Sequence, residues 1–515
     1  MLKDIVPREY QKNIVNSILN RGNTLVILPT GLGKTLIGLM LIDRLKDRGQ
    51  VLFMAPTRPL VEQHYNTILK HLDVNPNDVV VITGTIPKKK RQHLWEKRII
   101  VATPQTVKND LESGVFTLDG FSLCIIDEAH RAIGNYAYTY VASECLKNDV
   151  LILGLTASPG GDVERIKKIL DTLGITNIEY RSRYDPDVKP YVKELKIRWV
   201  PVELEGEYLH AVKLLQGIVK KYIKLFRDWG FTIRYPSKKE LVMIKQRIDK
   251  YTGNAKYTII SHYTTLFHLV HLQELLETQG VKPFLTYLAH LNNENTSKGV
   301  KRILRSKEIN QIVSLLKGKE HPKLNKLLEI VQERKGEKII IFVQYRDRLM
   351  DIVDMLKKKG FRVQPFVGQR KGFTQEDQKR IIKEFRDGKF DILVATSIGE
   401  EGLDIPSVDT VIFYEPIPSE IRSIQRRGRA GRSKSGEVII LITKGTQDEA
   451  YYWSAIRREK KMLSIINKVR KILDNDIGKP KPRLDTSRST SQTSKNLKIR
   501  SRKKESKQTK ILDFI

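Results

Sequence analysis

Short, almost unbroken apolar runs recur along this chain, and they restrict its fold more than any other feature. In the first 200 residues they are TLVILP (24–29), VLFMAP (51–56), VVVIT (79–83), RIIVAT (98–103), LCIIDE (123–128) and LILGLT (151–156). Each has the length of a strand but lacks the apolar–polar alternation of a strand with one wet face. Strands of this kind are buried on both faces, as in parallel sheets. Stretches of helical character separate them, which predicts an α/β doubly wound parallel sheet. The pattern resumes at KIIIFV (338–343), VQPFV (363–367), DILVAT (391–396), TVIFYE (410–415) and EVIILI (437–442), predicting a second such sheet.

Between the two sets the periodicity changes. Ala211, Leu215, Ile218, Tyr222 and Phe226 recur at helical spacing, and TTLFHLVHLQELLE (264–277) and EINQIVSLL (308–316) read as further helices. With 515 residues the chain is too long for one ordinary core. The expected organisation is a first domain over 1–203, a helical insertion over 204–325, a second domain over 326–477 and a tail over 478–515. The tail is rich in Lys, Arg, Ser, Thr and Pro and is expected to be disordered, although its last residues, KILDFI, are largely apolar.

A formal net charge of +33 points to a polyanionic partner, nucleic acid first and acidic membrane second. No apolar run is long enough to span a bilayer, and the N-terminal MLKDIVPREYQKNIV lacks the layout of a secretory signal. A soluble, cytoplasmic protein is expected. Two cysteines, Cys124 and Cys145, exclude a disulfide framework and a four-cysteine metal site. Cys124 lies within an apolar strand and reads as a small buried side chain.

The first strand runs into LPTGLGKT, residues Leu28, Pro29, Thr30, Gly31, Leu32, Gly33, Lys34 and Thr35. Gly31 and Gly33 let the backbone curl so that its N–H groups surround a phosphate, with a helix N-terminus behind them. Lys34 is placed for the β and γ phosphates, and the Thr35 hydroxyl for Mg²⁺. The strict loop pattern has glycine where this chain has Leu28. The fifth apolar strand ends in DEAH (127–130). Asp127, at a strand end beside the phosphate loop, is suited to hold Mg²⁺ through water. Glu128 is suited to orient and deprotonate an attacking water. His130 reads as a coupling residue, since no second histidine stands at ligand spacing.

Taken together, these motifs resemble the superfamily 2 helicases, which have two RecA-like domains. PREYQ (7–11) resembles their adenine-reading element, with Gln11 in the reading position. APTRPLVEQ (55–63) and ATPQTV (102–107) resemble the strand-tracking motifs, and TASP (156–159) the motif that couples hydrolysis to movement. IIIFVQYRD (339–347), ATSIGEEGLDIP (395–406) and QRRGRAGR (425–432) complete the set in the family's order. The resemblance implies ATP as substrate and places Gly402 and Asp404 among the ATP-binding residues. It makes Arg429 and Arg432 the arginines that touch the γ-phosphate and Gln425 a partner of the attacking water, with Glu128, in the catalytic set. Arg426 and Arg427 fit backbone or strand contacts better. Arg58, Thr103 and Thr396 match strand-contacting positions, and Thr156 and Ser158 join His130 in the coupling role.

The basic helical insertion resembles the branch containing archaeal Hef, the Fanconi anaemia M protein, Dicer and the antiviral RNA sensors. PTGLGKT, DEAHRAIGNYAY and QRRGRAGR are most similar to archaeal Hef. That resemblance implies a 3′→5′ translocase on branched DNA, such as forks and Holliday junctions, in repair and fork restart. The alternatives are an RNA-duplex translocase and a DNA-binding scaffold with an inactive ATP site. ERKGEK (333–338) imitates part of a nuclease signature, but Ile339 stands where that signature needs Asp, so it reads as a solvated turn. The expectation is a helicase form without the XPF-type nuclease, any such nuclease being a separate partner chain. His262, His268 and His271 share one helical segment and receive no role. At the C-terminus, Gln508, Ile511 and Phe514 have the spacing of the peptide that binds the sliding clamp, PCNA.

Overall fold

Strands that run parallel cannot be joined by hairpins, so each must be followed by a crossover, and the chain follows this rule in both halves. The computed structural model describes residues 2–192, 195–233, 236–253, 255–292, 297–368, 374–396, 408–416 and 436–475. These fall into two units, one of residues 1–191 with those from 457 onward, the other of residues 192–456.

The first unit carries strands β1 (Thr24–Ile27), β2 (Gln50–Met54), β3 (Val79–Ile82), β4 (Ile99–Ala102), β5 (Phe121–Asp127), β6 (Leu151–Thr156) and β7 (Asn177–Tyr180). They form a parallel sheet in the order β3-β4-β2-β5-β6-β1-β7. The six apolar runs are its β1 to β6. Their side chains are buried on both faces, as for Leu25, Val26, Leu52, Phe53, Ile100, Val101, Ile125 and Ile126. The short edge strand β7 has the mixed composition NIEY, which carries no apolar run to betray it.

The second unit carries β8 (Leu195–Val202), β9 (Ile339–Phe342), β10 (Val363–Phe366), β11 (Ile392–Ala395), β12 (Thr410–Phe413) and β13 (Gly436–Thr443). The described residues give a parallel sheet in the order β10-β11-β9-β12-β13-β8. The expected first-domain boundary at 203 is corrected here. Leu195–Val202 pairs with β13 along its whole length, from Leu195 with Gly436 to Val202 with Thr443, and so belongs to the second sheet. Ile197 and Trp199 stay exposed on this edge strand, so its sequence lacks the signature of a doubly buried strand.

The insertion is helical, as expected. Its main helices are Gly206–Asp228, Lys238–Asp249, Lys256–Glu274, Val281–Leu291 and Lys307–Leu315. Ala211, Leu215 and Phe226 enter a core with Leu266, Leu272, Phe284 and Ile312, while Ile218 and Tyr222 pack at its margin. A π-helical turn, Leu275–Gln279, closes the third helix, and Gly280 follows at φ 106°. A side chain at Gly280 would lie 2.5 Å from the Arg348 guanidinium, so this turn needs glycine for space as well as for backbone angle. Among the described residues no helix is long and apolar enough to cross a membrane. Both cysteines are buried and free.

Polar groups anchor the insertion to the second sheet's domain. The buried Arg348 donates to the Gln279 carbonyl. His321 Nε2 donates to the Glu277 carbonyl at 2.9 Å, and its Nδ1 accepts from the Lys323 amide at 3.1 Å. Burial and then the Lys323 charge push the His321 pKa down to about 3, which keeps the ring neutral and able to do both. Lys323 and Asp448 form an ion pair with no solvent exposure on the lysine side chain and 1% on the aspartate. Burial pushes the Glu415 carboxyl up to about 7, against the lowering influence of Lys323 and of the Gln344 amide that it accepts from.

Lys323→Met is expected to strand the Asp448 charge and destabilise the second unit by about 3–5 kcal/mol. Adding Asp448→Asn, which can still accept the Thr443 amide, is expected to recover most of that loss in denaturant titrations. Glu415 generates a pH dependence of known sign. Between about pH 4.5 and 7 the folded chain keeps a proton that the unfolded chain releases, so its contribution to stability is lost as pH rises through that window. Glu415→Gln is therefore expected to raise Tm by a few degrees at pH 8 and by much less at pH 5.

Candidate nucleotide site and its coupling residues

The phosphate loop leaves β1 at the sheet's C-terminal edge. Leu28 continues the strand, its amide donating to the Thr156 carbonyl of β6 at 3.0 Å. Gly31 (φ 89°) and Gly33 (φ 76°) take the left-handed region, and Gly33 caps the helix Lys34–Leu45. A Cβ on Gly33 would stand 2.3 Å from the Gln11 amide nitrogen, so any other residue here would have to adopt a left-handed angle and displace the Gln11 head. Lys34 Nζ donates to the Leu28 carbonyl at 3.0 Å, so its head is held at the loop it serves. Thr35 occupies the first turn of the same helix, half-buried. Gln11 is buried; its amide donates to the Leu32 carbonyl at 3.2 Å and its carbonyl accepts the Arg8 amide at 2.9 Å. Tyr10, which sequence reasoning missed, donates to the same Leu32 carbonyl at 2.7 Å.

Asp127 ends β5 and is buried. Its Oδ1 accepts the Glu128 amide at 3.0 Å, its Oδ2 lies 2.8 Å from His64 Nε2, and its backbone carbonyl accepts the Tyr138 hydroxyl at 2.8 Å. Burial alone would raise the Asp127 pKa, but the His64 contact, the Lys34 charge and the Glu128 amide outweigh it and hold the carboxyl below the usual range. Glu128 follows at φ 51°, a left-handed conformation that costs a non-glycine residue roughly 1–3 kcal/mol. That turn places Glu128 Oε2 3.2 Å from His130 Nδ1, which is 3.2 Å from the Thr156 hydroxyl. Thr156 in turn donates to the Ser158 carbonyl at 3.0 Å and accepts its amide at 3.2 Å. His130, Thr156 and Ser158 are thus joined to Glu128 by one polar chain.

The three positions expected from sequence to contact a nucleic-acid strand also lie at C-terminal β-strand ends. Arg58 begins the helix Arg58–His71 after β2, exposed and paired with Glu62 at 2.9 Å. Thr103 caps the helix Pro104–Glu112 after β4, its hydroxyl 2.9 Å from that of Thr106. Thr396 follows β11 in the second unit, its amide donating to the Phe366 carbonyl at 3.2 Å. Gly402, Asp404, Gln425, Arg429, Arg432, Gln508, Ile511 and Phe514 lie outside the described residues. In the insertion, His268 meets the Tyr287 hydroxyl at 2.7 Å, His271 meets Glu274 at 3.4 Å, and His262 lies 3.4 Å from Arg302.

Comparison with known proteins agrees with this geometry. Residues 4–161 match the family model of the type III restriction enzyme res subunit, and residues 322–434 that of the helicase conserved C-terminal domain. Residues 207–322 match a model described as "Putative ATP-dependent RNA helicase, helical bundle". The crystal structure of the Pyrococcus furiosus Hef helicase domain is 42% identical, with a TM-score of 0.68 over 87% of this chain and 98% of that one. The chain belongs to the Hef-type superfamily 2 helicases. This Hef-type chain is also 41% identical, over 90% of its length, to a protein of Methanocaldococcus jannaschii named as an ATP-dependent RNA helicase. It is 33% identical, over 86% of its length, to the ATP-dependent DNA helicase mph1 of Neurospora crassa. It spans 61% and 41% of those two relatives.

An ATP-dependent helicase of the Hef type implies a divalent metal beside the phosphates, and these residues fit one. Among the described residues Oδ1 of Asp127 accepts from the Glu128 amide and Oδ2 from His64, which fixes the carboxylate and leaves lone pairs on it, and Thr35 adds a hydroxyl from the phosphate-loop helix. When bound, the metal would neutralise charge on the β and γ phosphates. Around it, the left-handed Gly31 and Gly33 would leave the loop open to phosphate, Lys34 would supply positive charge, and Glu128 would be the carboxylate to take the proton of an attacking water.

Lys34→Ala is expected to weaken ATP binding at least about tenfold. Glu128→Gln should bind ATP normally but turn over about 10²–10⁴-fold more slowly. Equal ATP affinity in the two variants, measured with a fluorescent analogue, would contradict this division. Thr156→Val breaks the polar chain. It should keep ATP binding while losing most of the stimulation of ATPase by nucleic acid.

Proposed function

We propose that this chain is an ATP- and Mg²⁺-driven DNA translocase, moving 3′→5′, that remodels branched DNA such as stalled forks and Holliday junctions. The observation that carries a motor reading over a passive scaffold is the unbroken polar chain Glu128–His130–Thr156–Ser158, which ties the group placed to activate water to the coupling motif. A scaffold that only gripped DNA would have no use for it. DNA as the track draws support from the mph1 relative, named as a DNA helicase. The Methanocaldococcus relative bears an RNA-helicase name, which keeps duplex RNA as the second reading.

In this proposal Arg58, Thr103 and Thr396 contact one strand, and the basic helices of 206–325 grip a second duplex arm. Gly402 and Asp404 bind ATP, Gln425 positions the attacking water, and Arg429 and Arg432 place positive charge on the γ-phosphate. Gln508, Ile511 and Phe514 bind a sliding clamp of the PCNA type, and the basic residues before them tether the motor to DNA.

ATPase assays with forked DNA, single-stranded DNA and duplex RNA test the track directly. Strongest stimulation by the fork is expected, and strongest stimulation by duplex RNA would overturn the DNA reading. Arg429→Ala or Arg432→Ala should lower turnover by about 10³-fold or more while sparing DNA affinity. A collapse of DNA affinity with ATPase intact on saturating DNA would make them strand contacts instead. For the C-terminus, a 500–515 peptide is expected to bind an archaeal clamp and to lose that binding on Phe514→Ala; a silent wild-type peptide would remove clamp binding from the proposal.

A further inference from the structure

His64 has no part in the motifs read from the sequence, yet it makes a direct side-chain contact with the carboxylate of Asp127. It lies on the buried face of the helix Arg58–His71 with Val61 and Ile68, and only 4% of it is exposed. Its ring rests against Phe53 of β2, with centroids 4.4 Å apart. Phe53 pairs with Ile125 of β5, two residues before Asp127, so the ring is seated on the strand next to the one that ends in the carboxylate. Nε2 lies 2.8 Å from Asp127 Oδ2, and a carboxylate there can only accept, so His64 is the donor. Among the described residues Nδ1 is buried with no hydrogen-bond partner, so the polar contact recorded for this ring is Asp127.

Two donors then fix the carboxylate plane, the Glu128 amide on Oδ1 and His64 on Oδ2. The first comes from the next residue along the chain and moves with Asp127. The second comes from another element. Arg58, an exposed cation at the first turn of the His64 helix, is six residues and about 9 Å of helix rise away. A helix transmits an axial or tilting displacement along its length, and the seat of the ring on β2 limits how His64 can follow. A pull on Arg58 would therefore act on the tertiary hydrogen bond from His64 that helps set the angle of the Asp127 carboxylate.

We propose that His64 is a positioning residue that orients Asp127 for the metal and ties that orientation to the strand-contacting helix. The inference rests on the reading of Asp127 as the metal-holding carboxylate and extends it to a residue that touches neither metal nor nucleotide. His64 acts through its Nε2 donor, and the side chain that best preserves such a donor at similar reach is glutamine.

The test uses the full chain with His64→Ala and His64→Gln, alongside Glu128→Gln as a control on the site itself. Binding of a fluorescent ATP analogue is titrated with Mg²⁺, and repeated in EDTA. For His64→Ala, the Mg²⁺ midpoint is expected to rise about tenfold, the scale of losing a partner that orients a metal ligand. Affinity in EDTA should be unchanged, and the ratio of DNA-stimulated to basal ATPase should fall about tenfold. His64→Gln should restore both. A wild-type Mg²⁺ midpoint and stimulation ratio in His64→Ala would overturn the proposal. So would an equal loss of affinity with and without Mg²⁺ that glutamine fails to rescue, since that is the signature of a packing defect. If Glu128→Gln turns over ATP at the wild-type rate, the reading of the site fails first. If that variant is inactive and the His64 variants behave as wild type, only the present inference falls.

Discussion

The chemistry of this chain depends on a constraint of parallel strands: their C-terminal ends all open onto one edge. Each crossover begins there, so residues far apart in sequence meet without any long loop reaching across. Leu28 after β1, Arg58 after β2, Thr103 after β4, Asp127 at the end of β5 and Thr156 at the end of β6 occupy that edge in the first sheet. The same edge leaves backbone groups in need of partners, and neighbouring strands supply them. The Leu28 amide donates to Thr156, the Ala55 amide to Ala102 and the Thr103 amide to Ile82. The site is therefore stiff where strands end and adjustable only in the side chains and turns that follow.

Asp127 shows what that stiffness achieves. A carboxylate with so little exposure is costly unless donors and positive charge surround it. Here the Glu128 amide, His64 and Lys34 together more than offset burial, so the group stays ionised and available to a metal. One residue later the chain turns through a left-handed conformation at Glu128. An extended residue in its place would continue the strand and carry its side chain away from His130. The strained turn, held by the Asp127 side chain and by the helical turn Ala129–Arg131, brings a second carboxylate within 3.2 Å of the coupling histidine. Asp127 and Glu128 are adjacent in sequence, and their separate environments arise from one backbone angle.

The elements legible in the sequence were those with a distinctive signature. Doubly buried strands such as Val51–Met54 and Ile339–Phe342 advertise themselves as apolar runs, and the phosphate loop by its glycines. The strand Leu195–Val202 did not, because LKIRW alternates instead of running apolar, its Lys196, Ile197, Arg198 and Trp199 are all exposed, and its partner lies more than 230 residues away in sequence. Arg58, Thr103, His130 and Thr156 were found by motif and stand at the same sheet edge. His64 was missed because it lies one residue past APTRPLVEQ, and Tyr10 because within PREYQ only Gln11 carried a role. A signal for His64 was present nonetheless: Val61, His64 and Ile68 are spaced as one face of a helix, and a histidine on such a face needs a buried partner.

The insertion makes the complementary point about how one region is held to another. Apolar helix faces attract without direction, and an interface built only from them can slide or rotate at little cost. The join between the π-helical turn Leu275–Gln279 and the second sheet's domain is built from directional groups instead. The Glu277 carboxylate, held within the insertion by Gln216 at 2.8 Å and Gln273 at 2.7 Å, accepts the Gln447 amide of the domain at 2.9 Å, while its backbone carbonyl accepts from His321. Burial raises the Glu277 pKa, and its nearest donors are neutral, so these contacts add little charge neutralisation. What they add is register. A shift of one residue at this turn would leave Glu277, His321, Arg348 and Gln279 buried with mismatched partners, at about 1–3 kcal/mol for each unsatisfied group. The π-helical turn, with its extra residue, is what brings the carbonyls of Glu277 and Gln279 to their donors together. The insertion is thereby fixed in orientation on the domain that carries it, which a helical arm must be if movement of that domain is to move whatever the arm holds.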